Sequence, residues 1–139
     1  MQWKVMQEEE RVDVQLHLLE QAVMVQADIV RVQQIMTNLF TNAKQAMDNG
    51  TITITVMDQG ATLAIVVKDT GDGIPLEDQA FIFERFYRGE NKKYTIRGLG
   101  LGLPLSKMMA QSIGGDLRLI ESDISGTCFE FVLQKATTL

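Results

Sequence analysis

Residues 28–47 limit the folds open to this chain more tightly than any other segment. Apolar residues recur there with helical spacing, and Asp28 precedes them where an N-cap would satisfy the first free amides. Arg31, Gln34, Asn38, Asn42 and Gln45 fall within an arc of about 80° when each residue turns the helix by roughly 100°. Val32, Ile35, Met36, Leu39, Ala43, Ala46 and Met47 fill the adjoining arc, so the two asparagines lie at the border of the core. Asparagine is a middling helix former, and a pair one turn apart in mid-helix calls for a reason. Two readings stay open. One is an exposed polar face; the other is a ligand wall, in which a side-chain carbonyl oxygen coordinates magnesium, a cation that takes hard oxygen ligands and shares its shell with substrate phosphates.

Around this helix the pattern predicts strands. Val12, Val14, Leu16 and Leu18 alternate with Asp13, Gln15 and His17, as in a strand with those four side chains buried and His17 facing solvent. A second short strand is expected over residues 23–26. Asp48-Asn49-Gly50 stops the helix, after which Ile52, Ile54 and Val56 alternate with Thr51, Thr53 and Thr55. Gln59-Gly60 makes a turn, residues 63–68 supply a buried strand, and a glycine-rich loop begins at Asp69. Residues 77–88 read as a short helical piece with Phe81, Phe83 and Phe86, and residues 87–97 as a mobile loop. Gly98-Leu99-Gly100-Leu101-Gly102 opens a helix that tolerates Pro104 only near its first turn and ends at Gly114-Gly115. Strands over residues 117–121 and 127–133 close the chain. The expected fold is α+β: a two-layer sandwich with a mixed, mostly antiparallel sheet packed on about three helices.

A chain of 139 residues, 45% hydrophobic and 22% charged, suits one globular domain over residues 12–139, with residues 1–11 as an arm or the remnant of a preceding linker. Thirteen basic against eighteen acidic residues, a formal charge of -5, argue against a nucleic-acid partner. The lone Cys128 cannot close an internal disulfide, which fits a reducing compartment. The longest strictly apolar run, residues 63–67, is far below the roughly 20 residues of a membrane span. A cytoplasmic piece without membrane insertion is expected, whether free or part of a membrane-bound protein, and monomeric in isolation.

Three further features could carry chemistry. Asp69 ends a buried strand beside glycines that permit close backbone approach, so its carboxylate could accept from an amino group such as that of adenine, or lie in a plain surface turn. The loop from Gly98 to Gly102 leads into a helix N-terminus, where free amides and the helix dipole favour phosphate. Arg88, Lys92, Lys93 and Arg97 cluster against only Glu90, either as an anion site or as a solvated loop.

Taken in order, four elements resemble the catalytic, ATP-binding domain of sensor histidine kinases, a Bergerat fold of the GHKL type. They are Asn38-Leu39-Phe40-Thr41-Asn42-Ala43, Asp69-Thr70-Gly71-Asp72-Gly73-Ile74-Pro75, Phe81-Ile82-Phe83-Glu84-Arg85-Phe86-Tyr87-Arg88 and Gly98-Leu99-Gly100-Leu101-Gly102-Leu103. The resemblance runs from about Val12 to Leu133. It implies ATP and magnesium as ligands, with Asn42 as the metal ligand and Asn38 near the phosphates. Asp69 would bind the adenine amino group, with Gly71, Gly73 and Ile74 around the base. Residues 81–86 match the phenylalanine box at the base of an ATP lid over residues 87–97, in which Arg88 is the best phosphate contact, beside Tyr87 and Lys93. Gly98, Leu99, Gly100, Leu101, Gly102 and Leu103 would wrap the triphosphate, and Gly126-Thr127 resembles the last short motif near the adenine.

Gln45 and Ala46 depart from the resemblance, standing where many members carry a lysine and an aromatic residue. Lys44 cannot substitute, because it lies roughly 100° around the helix. The chain also lacks the family's phosphoacceptor, a helical histidine followed by an acidic residue: its one histidine, His17, precedes Leu18. The implied activity is therefore transfer of the γ-phosphoryl group to a histidine on a separate dimerisation domain, with a response regulator as indirect partner. Asn38 stands where the ATP-hydrolysing relatives carry a glutamate base, and an amide cannot take a proton at neutral pH, so fast intrinsic hydrolysis is not expected. Two competitors remain: a degenerate nucleotide- or partner-binding regulatory module, and an aspartic protease built on Asp69-Thr70-Gly71 as a homodimer.

Overall fold

The fold comes from a computed structural model that describes residues 12–84 and 102–136. It contains β1 (Val12–His17), α1 (Ile29–Gln45), β2 (Gly50–Asp58), β3 (Thr62–Asp69), α2 (Leu76–Gln79), α3 (Gly102–Ser112), β4 (Asp116–Asp123) and β5 (Gly126–Gln134). The strands form one sheet in the order β1-β2-β3-β5-β4. β1 runs parallel to β2 and every other pair is antiparallel, which makes the sheet mixed and mostly antiparallel. This is the α+β sandwich expected from the pattern, although the third helix, α2, has only 4 residues.

Local chemistry explains the element ends. The Asp28 carboxylate accepts from the Val30 N–H at 2.9 Å and caps α1, while Lys44 sits in its last turn, where the helix dipole favours a cation. Gly114, at φ +82°, ends α3 in the left-handed region. Alternation along β2, β3 and β5 sends Ile52, Ile54, Leu63, Val67, Phe129, Phe131 and Leu133 to one face, where they meet Ile35, Leu39 and Ala43 of α1 and Leu103 and Ala110 of α3. Asp69 and Thr127 share that strand parity and are paired across β3 and β5. Both therefore stand on the helix-covered face, at the end where the hydrophobic layer stops.

The structure corrects the sequence reading in three places. Val12 is buried and Val14 partly so, but Leu16 and Leu18 are 43% and 64% exposed. Among the described residues β1 is an edge strand, and the helix layer lies over β2 to β5, leaving its far end bare. Residues 23–26 form no second strand; Val25 makes an isolated bridge to Lys135, flanked by hydrogen bonds from Gln26 N to Gln134 O and from Ala136 N to Met24 O. α1 ends at Gln45, and Ala46 and Met47 turn out of it with three-residue backbone bonds to Ala43 and Lys44. The arm at residues 1–11 and the loop at residues 87–97 lie outside the described residues.

Candidate functional site

The site begins with a buried charge. Asp69 is 3% exposed at the C-terminal end of β3, and burying a carboxylate is costly without donors. Its Oδ1 takes two, from Gly71 N at 2.8 Å and Thr127 N at 3.3 Å. Burial nonetheless pushes its pKa above the ordinary carboxylate value, outweighing the two N–H donors that pull the other way. Both bonds fall on Oδ1, which leaves Oδ2 for a donor from a ligand.

The loop that follows is fixed by close backbone approach. A Cβ on Gly71 would lie 2.6 Å from the Ala46 carbonyl oxygen, and one on Gly73, at φ +84°, would lie 2.0 Å from the Asp123 oxygen. Only glycine fits the second position, where both conformation and contact forbid a side chain. The β4–β5 turn thus supports the loop from below. Ser122 Oγ accepts from Ile74 N at 2.7 Å and lies 2.8 Å from Thr127 Oγ1. Gln79 Nε2 donates to both the Ile74 and the Ser122 carbonyl oxygens, at 2.9 and 3.1 Å.

The α1 stripe is built differently. Asn38 and Asn42 are half-buried, while Arg31, Gln34 and Gln45 are exposed, so the two asparagines do border the core. Asn38 is held at both ends of its amide: Oδ1 accepts from Gln34 Nε2 at 3.2 Å, and Nδ2 donates to Ser106 Oγ at 2.9 Å. Ser106, fully buried in α3, donates in turn to the Gly102 carbonyl oxygen at 2.8 Å. This chain of bonds ties the stripe to the first residue of α3, the last glycine of the predicted phosphate loop.

The remaining predicted residues divide clearly. Ile74, Ala46 and Leu103 are buried, and a Cβ added to Gly102 would meet open space. Ala46 packs on Gly71, and its carbonyl oxygen accepts from Asp72 N at 3.4 Å, so this small residue is part of the wall that holds the loop. Phe83 meets Phe129 edge to face at 6.2 Å and lies under the Lys107 ammonium at 4.9 Å, and Lys107 is anchored to Asp116 at 3.0 Å and to the Leu117 oxygen at 2.7 Å. Tyr87, Arg88, Lys92, Lys93, Arg97, Gly98, Leu99, Gly100 and Leu101 lie outside the described residues. The sequence reading did not single out Ser106, Ser122, Gln79 or Lys107. Only Ser106 carried a signal: with Leu103 and Ala110 it falls on the apolar stripe of α3, where a polar side chain must find a partner.

Residues 27–137 match the family model of histidine kinase-, DNA gyrase B- and HSP90-like ATPases. The chain belongs to that family. It is 33% identical over 132 residues to the sensor histidine kinase WalK of Bacillus subtilis, a match covering 92% of this chain and 22% of WalK. The chain thus spans about a quarter of the length, or less, of curated relatives that it matches. Its fold superposes on the nucleotide-free catalytic domain of the histidine kinase ThkA with a TM-score of 0.82 at 26% identity, covering 96% of this chain and 86% of that one. ThkA has also been solved with the response regulator TrrA, where the match has a TM-score of 0.79 at 25% identity and covers 97% and 37% of the two chains. Full-length ShkA in complex with AMPPNP matches with a TM-score of 0.79 at 26% identity, covering 94% of this chain and 27% of ShkA.

These findings remove the protease. Asp69-Thr70-Gly71 opens the loop of an ATPase-family sandwich whose helices cover one sheet face, and an aspartic protease is almost entirely β. No cluster of three or more His, Cys, Asp or Glu side chains suited to a metal occurs among the described residues. The half-buried Asn42 offers one amide oxygen, and such a donor completed by phosphates and water fits magnesium's reluctance to dehydrate. No described helix is long and apolar enough to cross a membrane.

Proposed function

We propose that residues 12–139 are the catalytic, ATP-binding domain of a sensor histidine kinase, with residues 1–11 as an arm or the remnant of a linker. It binds magnesium-ATP and donates the γ-phosphoryl group to a histidine on a separate dimerisation domain, which then serves a response regulator. The observation that carries this reading is Asp69: a buried carboxylate with one oxygen saturated by backbone donors and the other open, at the end of a strand in an ATPase-family fold. Its open oxygen takes the adenine amino group, with Gly71, Gly73, Ile74 and Thr127 around the base.

Asn42 holds magnesium through its side-chain oxygen, and the metal supplies charge neutralisation at the phosphates. Asn38 orients the phosphate side from its position between Gln34 and Ser106. Gly98, Leu99, Gly100, Leu101, Gly102 and Leu103 wrap the triphosphate, and Tyr87, Arg88 and Lys93 approach it from the lid. In phosphoryl transfer the protein contributes position and charge more than covalent chemistry, so no base is required on this chain. The Asn38 amide, already engaged at both ends, cannot activate water, which favours transfer over hydrolysis. The domain sits in the cytoplasm.

A regulatory module that binds nucleotide without transfer is the second reading, favoured by Gln45 and Ala46. The test is calorimetric titration with AMP-PNP, with and without magnesium, followed by labelling of a supplied phosphoacceptor domain from radiolabelled ATP. Asn42→Ala should lose most of the magnesium-dependent gain in affinity, and Asp69→Asn should weaken binding by about a hundredfold, as removal of a charged hydrogen-bond acceptor does. Binding without labelling would leave the nucleotide-binding regulatory module, and a folded protein that binds no nucleotide would end the kinase reading and leave a partner-binding module.

A further inference from the structure

Ser122 has no part in the functional reading above, yet it is the node on which three parts of the adenine end converge. Its hydroxyl accepts from the Ile74 amide at 2.7 Å and meets the Thr127 hydroxyl at 2.8 Å, while its carbonyl oxygen receives the Gln79 amide at 3.1 Å. Gln79 holds the Ile74 carbonyl oxygen as well, at 2.9 Å. Thr127, 3% exposed, donates its own backbone N–H to Asp69. One serine side chain thus touches the floor of the loop and the strand residue paired with the carboxylate.

Proton counting leaves the hydroxyl pair with one proton over, and a ligand acceptor beside Thr127 selects the arrangement in which Ser122 donates. Ser122 Oγ uses a lone pair on Ile74 N–H, and its own proton has one recorded acceptor among the described residues, Thr127 Oγ1. With Ser122 donating to Thr127, the Thr127 proton is left to point at a ligand. The site then offers an acceptor, Asp69 Oδ2, beside a donor, the Thr127 hydroxyl. That is the complement of a 6-aminopurine edge, which presents an amino donor beside a ring-nitrogen acceptor; a 6-oxopurine presents the reverse.

We propose that Ser122 is a positioning residue for base recognition: it fixes Ile74 and directs the Thr127 hydroxyl toward the ligand, so that the site prefers a 6-aminopurine over a 6-oxopurine. This rests on the ATP reading and deepens it. A site built to hydrogen-bond one edge rejects the analogue that leaves its buried polar groups unpaired.

The test measures AMP-PNP affinity by calorimetry, and GMP-PNP affinity by competition, for the wild type, Ser122→Ala, Ser122→Thr, Thr127→Val and the Ser122→Ala/Thr127→Val double variant, with thermal unfolding to verify folding. Ser122→Ala should lose about tenfold in AMP-PNP affinity and narrow the adenine preference by a similar factor, the loss of one directed neutral hydrogen bond. Ser122→Thr, which keeps the hydroxyl, should restore both. In the Thr127→Val background, Ser122→Ala should cost less than about twofold, because its effect runs through the missing hydroxyl. An unchanged adenine preference in Ser122→Ala, or fully additive losses in the double variant, would overturn the inference while leaving ATP binding intact. A folded wild type that binds neither analogue would overturn it together with the ATP reading. Should Ser122→Ala fail to fold, Ser122→Thr against Thr127→Val still decides: equal adenine preference in those two would overturn it.

Discussion

The two ends of the candidate site are built on opposite principles. At the adenine end, Asp69 and Thr127 are almost fully buried, and backbone amides, a serine and a glutamine hold the loop in place. At the proposed phosphate end, Asn38 and Asn42 sit half-exposed on a helix, with a tie from Asn38 through Ser106 to the start of α3. The first end is costly to form and is completed by folding itself. On the proposed reading, the second offers groups to a ligand that brings its own charge and metal. Base recognition would then be coupled to stability, whereas phosphate handling would be largely separable from it.

The sharpest way to break that contrast is at Gly73. Gly73→Ala places a Cβ 2.0 Å from the Asp123 oxygen in a backbone conformation that L-residues avoid. Destabilisation of about 3 kcal/mol or more is expected, from strain plus the forced shift of the β4–β5 turn. Chemical denaturation reads it directly, and a fully stable variant that merely binds ATP less well would show that the adenine end is not coupled to folding.

Ser106→Ala probes the tie at the other end. It strands the Asn38 Nδ2 and removes the side-chain bond to the Gly102 carbonyl oxygen, with an expected cost of about 1–3 kcal/mol. Base recognition should survive, so AMP-PNP affinity without magnesium should fall less than the affinity with it. Equal losses in both conditions would argue that Ser106 serves only the α1–α3 packing.

The smallest effect is one of pH. Because the folded pKa of Asp69 is raised, its carboxyl stabilises the fold fully below the unfolded value, and that contribution is lost as pH rises through the folded value. Asp69→Asn can still accept at Oδ1 and carries no charge. Thermal unfolding should show the wild type losing ground to Asp69→Asn as pH climbs from the ordinary carboxylate range toward neutrality. Parallel curves for the two proteins would mean that the buried carboxylate is fully compensated. The same variant should bind nucleotide poorly, so stability and recognition are expected to move in opposite directions at this position.

How much of this was legible beforehand follows from where each interaction lives. Helical spacing and an N-cap at Asp28 defined α1, and its polar stripe placed Asn38 and Asn42 at the core border, because both facts depend on residues within a few turns of one another. The strands of the sheet interior were legible for the same reason. The edge strand was not: Leu16 alternates like Val12, but burial depends on whether another layer lies above it, and among the described residues Leu16 stays 43% exposed. The strand expected over residues 23–26 failed likewise, since its one bridge is made with Lys135, at the other end of the chain.

What the sequence by itself determined was the order of the main elements, the family and which residues are candidates for the site, all carried by local periodicity and short motifs. Only the tertiary structure decided which polar residues hold those in place. Ser106 reaches Asn38 across 68 positions, Ser122 reaches Ile74 across 48, and Thr127 reaches Asp69 across 58. Hydrogen bonds are satisfied by whatever group folding brings within about 3 Å, and no local pattern records a partner that distant in the chain.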